Sequence, residues 1–346
     1  MSGVQNVTVA AGEGNQRLDR WLRRRFPQLT QGNVEKMCRR GEIRVDGGRV
    51  RANTRVAEGQ SVRLPPLPED RAPAAPRREK VAQADAEMIR ACVIYRDAHL
   101  LALNKPPGLA SQGGSGQTRH VDGLGDALRF DADEQPRLVH RLDKDTSGIL
   151  IMARNRLTAA ALSETFRDRK TRKIYWAAVA GVPHPRMGTV RYGLVKAGGG
   201  GDGAEKMRAV LPDEVPEVKG AKNATTDYAV LESLGSRAAW VALVPVTGRT
   251  HQLRAHMAEI GHPIAGDGKY GGSGQENLGD GWGAGFGGEI SRKLHLHARS
   301  LTMTHPITGA RLHLTAPLPD HMLRTWDMLG WSAAEVPVDP FAGEAE

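Results

Sequence analysis

The side chains of this sequence best suited to chemistry fall in three short segments. The first is Leu138-Val-His-Arg-Leu-Asp-Lys-Asp-Thr-Ser-Gly148. Read as a strand over 138–142, it puts Val139, Arg141 and Asp143 on one face and Leu138, His140 and Leu142 on the other. Asp143 then stands at a strand end beside Arg141. Asp145 opens the turn that follows, where an aspartate can bond its own backbone. Asp145 therefore reads as structural, and Asp143 as the candidate nucleophile or base. On this segment alone, a turn-forming role for Asp143 stays open.

The second segment is Pro245-Val-Thr-Gly-Arg-Thr-His-Gln-Leu-Arg-Ala-His-Met257, a turn running into a helix over 251–260 that Gly261 closes. Leu253, Met257 and Ile260 form its apolar stripe. Arg254 is offset from the stripe and shares a face with Thr250 and His251. An arginine there can point into a cleft and keep a carboxylate ionised. A solvated helix arginine fits the same spacing. The third segment is Arg172-Lys-Ile-Tyr-Trp-Ala-Ala-Val-Ala-Gly181. Tyr175 follows basic residues at the start of an apolar strand, where an aromatic can stack on a base or serve as core with its hydroxyl bonded.

Strands over 100–103, 138–142, 148–153, 174–179, 226–231, 240–246 and 294–301 must position these groups. The helix over 251–260 is joined by one over 157–169, capped by Asn155. Strands outnumber helices without regular alternation, which predicts an α+β fold with a mixed, largely antiparallel sheet. The stretches 197–222 and 271–288 are glycine-rich and read as surface loops. We divide the chain into a small α/β domain at 1–68, a Pro/Ala-rich linker at 69–90, a catalytic domain at 91–330 and a tail at 331–346.

The first domain carries a lopsided charge. The chain has a formal charge of +9, and residues 17–51 hold eleven Lys/Arg against four Asp/Glu. Arg20, Arg23, Arg24, Lys36, Arg39 and Arg40 lie on the polar faces of two expected helices, one over 18–26 and one capped by Thr30 and stopped by Gly41. A hairpin follows at Asp46-Gly-Gly48. The excess can be a solvated surface; shared across two helices and a hairpin, it reads as an RNA-binding face. Gln16-Arg-Leu-Asp-Arg-Trp-Leu22, Arg39-Arg-Gly-Glu-Ile-Arg-Val45 and Glu58-Gly-Gln-Ser-Val-Arg-Leu64 resemble the RNA-binding domain named after ribosomal protein S-four. That resemblance implies an RNA partner but no reaction.

The larger domain resembles the RluA family of pseudouridine synthases. The matches are Asn104-Lys-Pro-Pro-Gly-Leu109, His140-Arg-Leu-Asp-Lys-Asp-Thr-Ser-Gly148, Lys173-Ile-Tyr175, Thr247-Gly-Arg-Thr-His-Gln-Leu-Arg254, and Gly261-His-Pro-Ile-Ala-Gly-Asp267 with Tyr270. Within the family the chain is similar to the branch containing RluC and RluD, which modify large-subunit ribosomal RNA, and closer to RluC. The resemblance implies that Asp143 is the catalytic aspartate and Arg254 its ion-pair partner. It implies that Tyr175 contacts the target base and that Arg141 occupies the gap left by a flipped nucleotide. An isomerisation adds and removes no atoms, so we expect no cofactor and no metal.

Other function classes are less well served. Cys38 and Cys92 make neither a disulfide framework nor a paired-Cys zinc motif. No signal peptide or apolar membrane span is visible, so a cytoplasmic protein without membrane contact is expected. No obligatory protein partner is evident. A metal-dependent hydrolase would have to use His251 with His256, five apart on a helix, or His295 with His297, without an acidic cluster nearby. A non-catalytic RNA-binding or ribosome-assembly protein would explain the charge and leave Asp143, Tyr175 and Arg254 without a purpose.

Overall fold

Residues 3–67, 81–113, 119–167, 171–197, 206–271 and 290–342 are described by a computed structural model. The chain divides into two units, 1–80 and 81–346. In the first, the expected helices form at Leu18–Arg25 and Gln31–Arg40. Thr30 accepts a hydrogen bond from the Asn33 N–H, and Gly41 ends the second helix in the left-handed conformation. Leu18, Trp21, Leu22, Val34 and Cys38 pack on Ile43, Val62 and Leu64. The hairpin pairs Arg44–Val45 with Gly48–Arg49, and Asp46 and Gly47 both take positive φ, as a tight hairpin turn requires. An additional strand, Gln5–Thr8, pairs with Ser61–Leu64.

The second unit is built on one large sheet, eleven-stranded among the described residues. Its pairings are antiparallel except one: Ser147–Ala153 runs parallel to Leu296–Thr304 at their starts. The expected mixed, largely antiparallel α+β sheet is thus the one observed. The strand Arg172–Ala180 lies centrally, between Ala238–Pro245 and Leu296–Thr304. Its Ile174, Trp176 and Ala178 face a core that includes Trp240, Trp326 and Trp331. Tyr175, Ala177 and Val179 face the other way, toward Leu253 and Met257 of the helix Gln252–Glu259. This second face carries the candidate site.

Several expectations need correction. The strand over 138–142 shrinks to Arg137–Leu138, and residues 139–146 are irregular. Their polar groups are captured by other parts of the chain, which overrides the apolar alternation. Asp145 is exposed and makes no hydrogen bond to its own turn among the described residues. The expected loop over 197–222 contains the strand Met207–Val210, paired with Met187–Lys196; 198–205 fall outside the described residues. The loop over 271–288 lies outside them too, apart from Gly271. Residues 83–90, assigned to the linker, belong to the helix Gln83–Ala91, with Ala86 and Ile89 buried. The tail is packed: Trp331 and Phe341 are buried, and Asp339 pairs with Arg172.

Candidate active site

A cleft of about 460 Å³ opens on the second face of the sheet, within the range of ligand pockets. Asp143, Tyr175, Arg254 and Arg141 all line it. The three segments singled out for chemistry therefore meet in one place.

Asp143 sits in a loop whose backbone is tethered from outside. Lys105 is fully buried and donates to three carbonyl oxygens: Pro106 at 2.9 Å, Leu109 at 2.8 Å and Lys144 at 3.0 Å. Lysine has three N–H donors, so the ammonium is fully used. Burial pushes its pKa down to about 7, against the opposing charges of Asp145 and Asp143. The Ser111 hydroxyl donates to Leu142 O and accepts from Leu142 N. His140 Nε2 accepts the Ile151 N–H at 2.9 Å. Burial, then the charge of Lys173, lowers the His140 pKa to about 3, so the ring stays a neutral acceptor. Past the loop, Gly148 has φ +106, and a Cβ there would lie 2.3 Å from Ala298 O. Only glycine lets the chain turn from the Asp143 loop into its parallel partner at that distance.

Arg254 reaches the same carboxylate from the helix Gln252–Glu259. It is 4% exposed, and its Nη1 lies 3.6 Å from Asp143 Oδ2. Its principal partner is another carboxylate. Asp267, 1% exposed, accepts from Nε and Nη2 at 2.7 Å each, the two-pronged geometry that suits a guanidinium. Burial opposes the charge on Arg254, but Asp267 and then Asp143 more than offset it, and its pKa is raised. The helix start is set by Gln252. Its Oε1 accepts from Thr247 Oγ1 and Arg249 N, and its Nε2 donates to Thr225 O and Thr226 Oγ1.

Tyr175 stands on the central strand with no hydrogen bond to its hydroxyl among the described residues. Burial, then the nearby Asp143, pushes its phenol pKa up, so it is a neutral hydroxyl at ordinary pH. The rim of the cleft is cationic. Arg141 and Arg167 are exposed, and Lys173 Nζ lies 4.5 Å from the centre of the Phe166 ring. Burial lowers the Lys173 pKa to about 8.

Sequence reasoning identified neither Asp267 as the main partner of Arg254 nor His251 as a neighbour of Asp143. Both belong to runs quoted for the family resemblance, which was the available signal. The other histidines once weighed as ligands are placed differently. His256 is buried against Thr226, His295 bonds Thr325, and His297 bonds Ser147 and Ala316. In the first unit, Arg20, Arg23, Arg24, Lys36, Arg39 and Arg40 are all exposed. No helix among the described residues is long and apolar enough to cross a membrane.

Residues 99–259 match the RNA pseudouridylate synthase family, and residues 16–62 match the S4 domain. The chain is 35% identical over 327 residues to the ribosomal large subunit pseudouridine synthase C of Vibrio cholerae, covering 92% of this chain and 95% of that relative. It is 35% identical over 325 residues to the protein of that name from Yersinia pestis, covering 93% and 94%. Among solved structures, human RNA pseudouridylate synthase domain containing 4 superposes with a TM-score of 0.54 at 30% identity, over 71% of this chain and 95% of its own. By sequence across both units and by fold, the chain belongs to the RNA pseudouridylate synthase family.

Proposed function

We propose that this enzyme isomerises specific uridines of large-subunit ribosomal RNA to pseudouridine, with Asp143 as its essential carboxylate. The ribosomal substrate rests on the names of the relatives. The carboxylate role rests on one observation above the rest: Asp143 and Arg254 lie 3.6 Å apart in a cleft that also presents Tyr175.

The reaction breaks the C1′–N1 bond, turns the freed uracil and joins C1′ to C5. The C5 proton leaves and N1 gains one, so the sum is unchanged. Asp143 acts as an anion, either on the sugar carbon or on a sugar proton. Tyr175 packs against the uracil and keeps it near the sugar, a task of proximity. Extruding the nucleotide costs a few kcal/mol, and Arg141 fills the gap it leaves. Phosphate contacts from the cleft rim and from Arg20, Arg23, Arg24, Lys36, Arg39 and Arg40 offset part of that cost.

Asp143→Asn tests the assignment. The purified variant is expected to bind RNA with unchanged affinity and to form no pseudouridine. Pseudouridine formed by that variant would sink it. A pseudouridine map of ribosomal RNA from cells lacking the protein tests the substrate; an unaltered large-subunit map would refute it.

A further inference from the structure

His251 stands between the Asp143 carboxylate and the Tyr270 hydroxyl. Its Nε2 lies 3.8 Å from Asp143 Oδ2, and its Nδ1 lies 2.9 Å from the Tyr270 hydroxyl. The Tyr270 oxygen also accepts the Met207 N–H at 2.8 Å. Those contacts favour one direction for each proton. A phenol carries one proton and accepts through its oxygen. Met207 takes one acceptor position on that oxygen, and the arrangement that also uses the phenol proton points it at His251. Nδ1 is therefore the acceptor of a neutral imidazole, and Nε2 carries the only ring proton, facing Asp143.

The ring is neutral because of its surroundings. Burial lowers its pKa below the ordinary histidine value; Asp143 pulls it up, Arg254 and Lys269 push it down, and Asp267 pulls it up. The net direction is down, so the tautomer argument holds at neutral pH. The backbone adds an independent sign. His251 has φ 52 and ψ 20, a left-handed conformation that histidine adopts at a cost glycine would avoid. Residues strained in this way cluster at functional sites, and this one lines the cleft.

We infer that His251 is a positioning residue: its Nε2–H steadies one oxygen of the Asp143 carboxylate, in the tautomer that Tyr270 imposes, and leaves the other oxygen free for the ribose. At 3.8 Å the contact is longer than a hydrogen bond. It closes when RNA fills the cleft, as catalytic contacts commonly tighten in the reacting complex. The inference rests on Asp143 being the essential carboxylate.

Five variants of the full chain decide it: His251→Ala, His251→Asn, His251→Gln, Tyr270→Phe and the Ala/Phe double variant, with Asp143→Asn as control. Glutamine places an amide N–H at the height of Nε2, asparagine only at the height of Nδ1. The Ala and Asn variants are expected to lose kcat by about ten- to a hundredfold, the size of a hydrogen bond to a charged group, with KM for RNA nearly unmoved. Gln is expected to restore most of that loss at equal melting temperature. Tyr270→Phe is expected to lower kcat, and adding it to His251→Ala to lower kcat no further, since the two act in one chain. Wild-type kcat in His251→Ala with Asp143→Asn inactive would overturn the inference and spare the Asp143 assignment. Gln performing no better than Asn, or additive losses in the Ala/Phe pair, would overturn it as well. If Gln does not fold, the Ala/Phe pair still decides. An active Asp143→Asn would instead strike at the assignment beneath it.

Discussion

Asp143 and Arg254 meet in one cleft but are held there by opposite means. Asp143 rides an irregular loop, 139–146, whose shape comes from tethers outside the loop: Lys105, Ser111 and the bond from Ile151 to His140. Arg254 rides a regular helix, anchored at its start by Gln252, and its side chain is fixed by the two-pronged bond to Asp267. A regular element shares its load among many equivalent backbone bonds. An irregular one depends on a few particular groups, and losing any of them moves the residue it carries. The contrast suggests that loop substitutions should damage activity more than stability, while damage on the helix side should appear in both.

The largest effect is expected from Asp267→Ala. It leaves a buried guanidinium with only Asp143 at 3.6 Å, and breaking a buried pair from one side costs about 3–5 kcal/mol. Chemical denaturation should show that loss, and pseudouridine formation should fall with it. A stability change under about 1 kcal/mol would mean that Asp143 alone can hold Arg254.

Next comes Lys105→Met. Three carbonyls lose their donor, at about 3 kcal/mol together if water reaches part of them. Hydrogen exchange should accelerate around 142–146 while the helix Gln252–Glu259 keeps its protection. Equal acceleration in both would erase the contrast.

Acid should distinguish the two supports as well. Burial lowers the pKa of His140 to about 3 and of His256 to about 4, from 6.5. His295 and His297 are lowered likewise, to about 4 and about 3. Below pH 6.5 the unfolded chain takes up protons that the folded chain refuses. The stability from these four rings is thus complete above pH 6.5 and is lost as pH falls toward 3–4, at about 1.4 kcal/mol per pH unit for each ring fully titrating. His140→Asn should flatten this slope by up to one ring's share. A slope unchanged in that variant would show that His140 is not held neutral. His140 matters most locally, because a protonated ring can no longer accept from Ile151.

The smallest effect is expected from Ser111→Ala, which removes one hydroxyl shared by Leu142 N and O, for about 1–2 kcal/mol. A larger fractional loss in kcat than in stability would support the loop's reliance on single tethers.

The same contrast explains what was legible in the sequence. The helix bearing Arg254 and its offset from the apolar stripe were visible because helical periodicity is local. The loop bearing Asp143 was misread as a strand because Leu138-Val-His-Arg-Leu alternates, whereas Lys105 and Ser111 lie over thirty residues away along the chain. Asp267 was hidden for the same reason: no spacing rule links it to Arg254. The strand Met187–Lys196 was missed because Gly188 and Gly193 interrupt its pattern. Both sit close to neighbours, with a Cβ at Gly188 falling 3.0 Å from the Tyr228 hydroxyl and one at Gly193 falling 2.3 Å from Val215 Cγ2. Packing demanded those glycines, and packing is not written in periodicity.

Because Arg254 is matched by Asp267, the trio of Asp143, Arg254 and Asp267 carries one surplus negative charge at rest. In either role proposed for Asp143, turnover neutralises that charge. When it does, the guanidinium is not stranded, since its other anion remains in place. The trio thus passes from anionic to neutral with Arg254 still paired, and the arginine need not shift during the reaction.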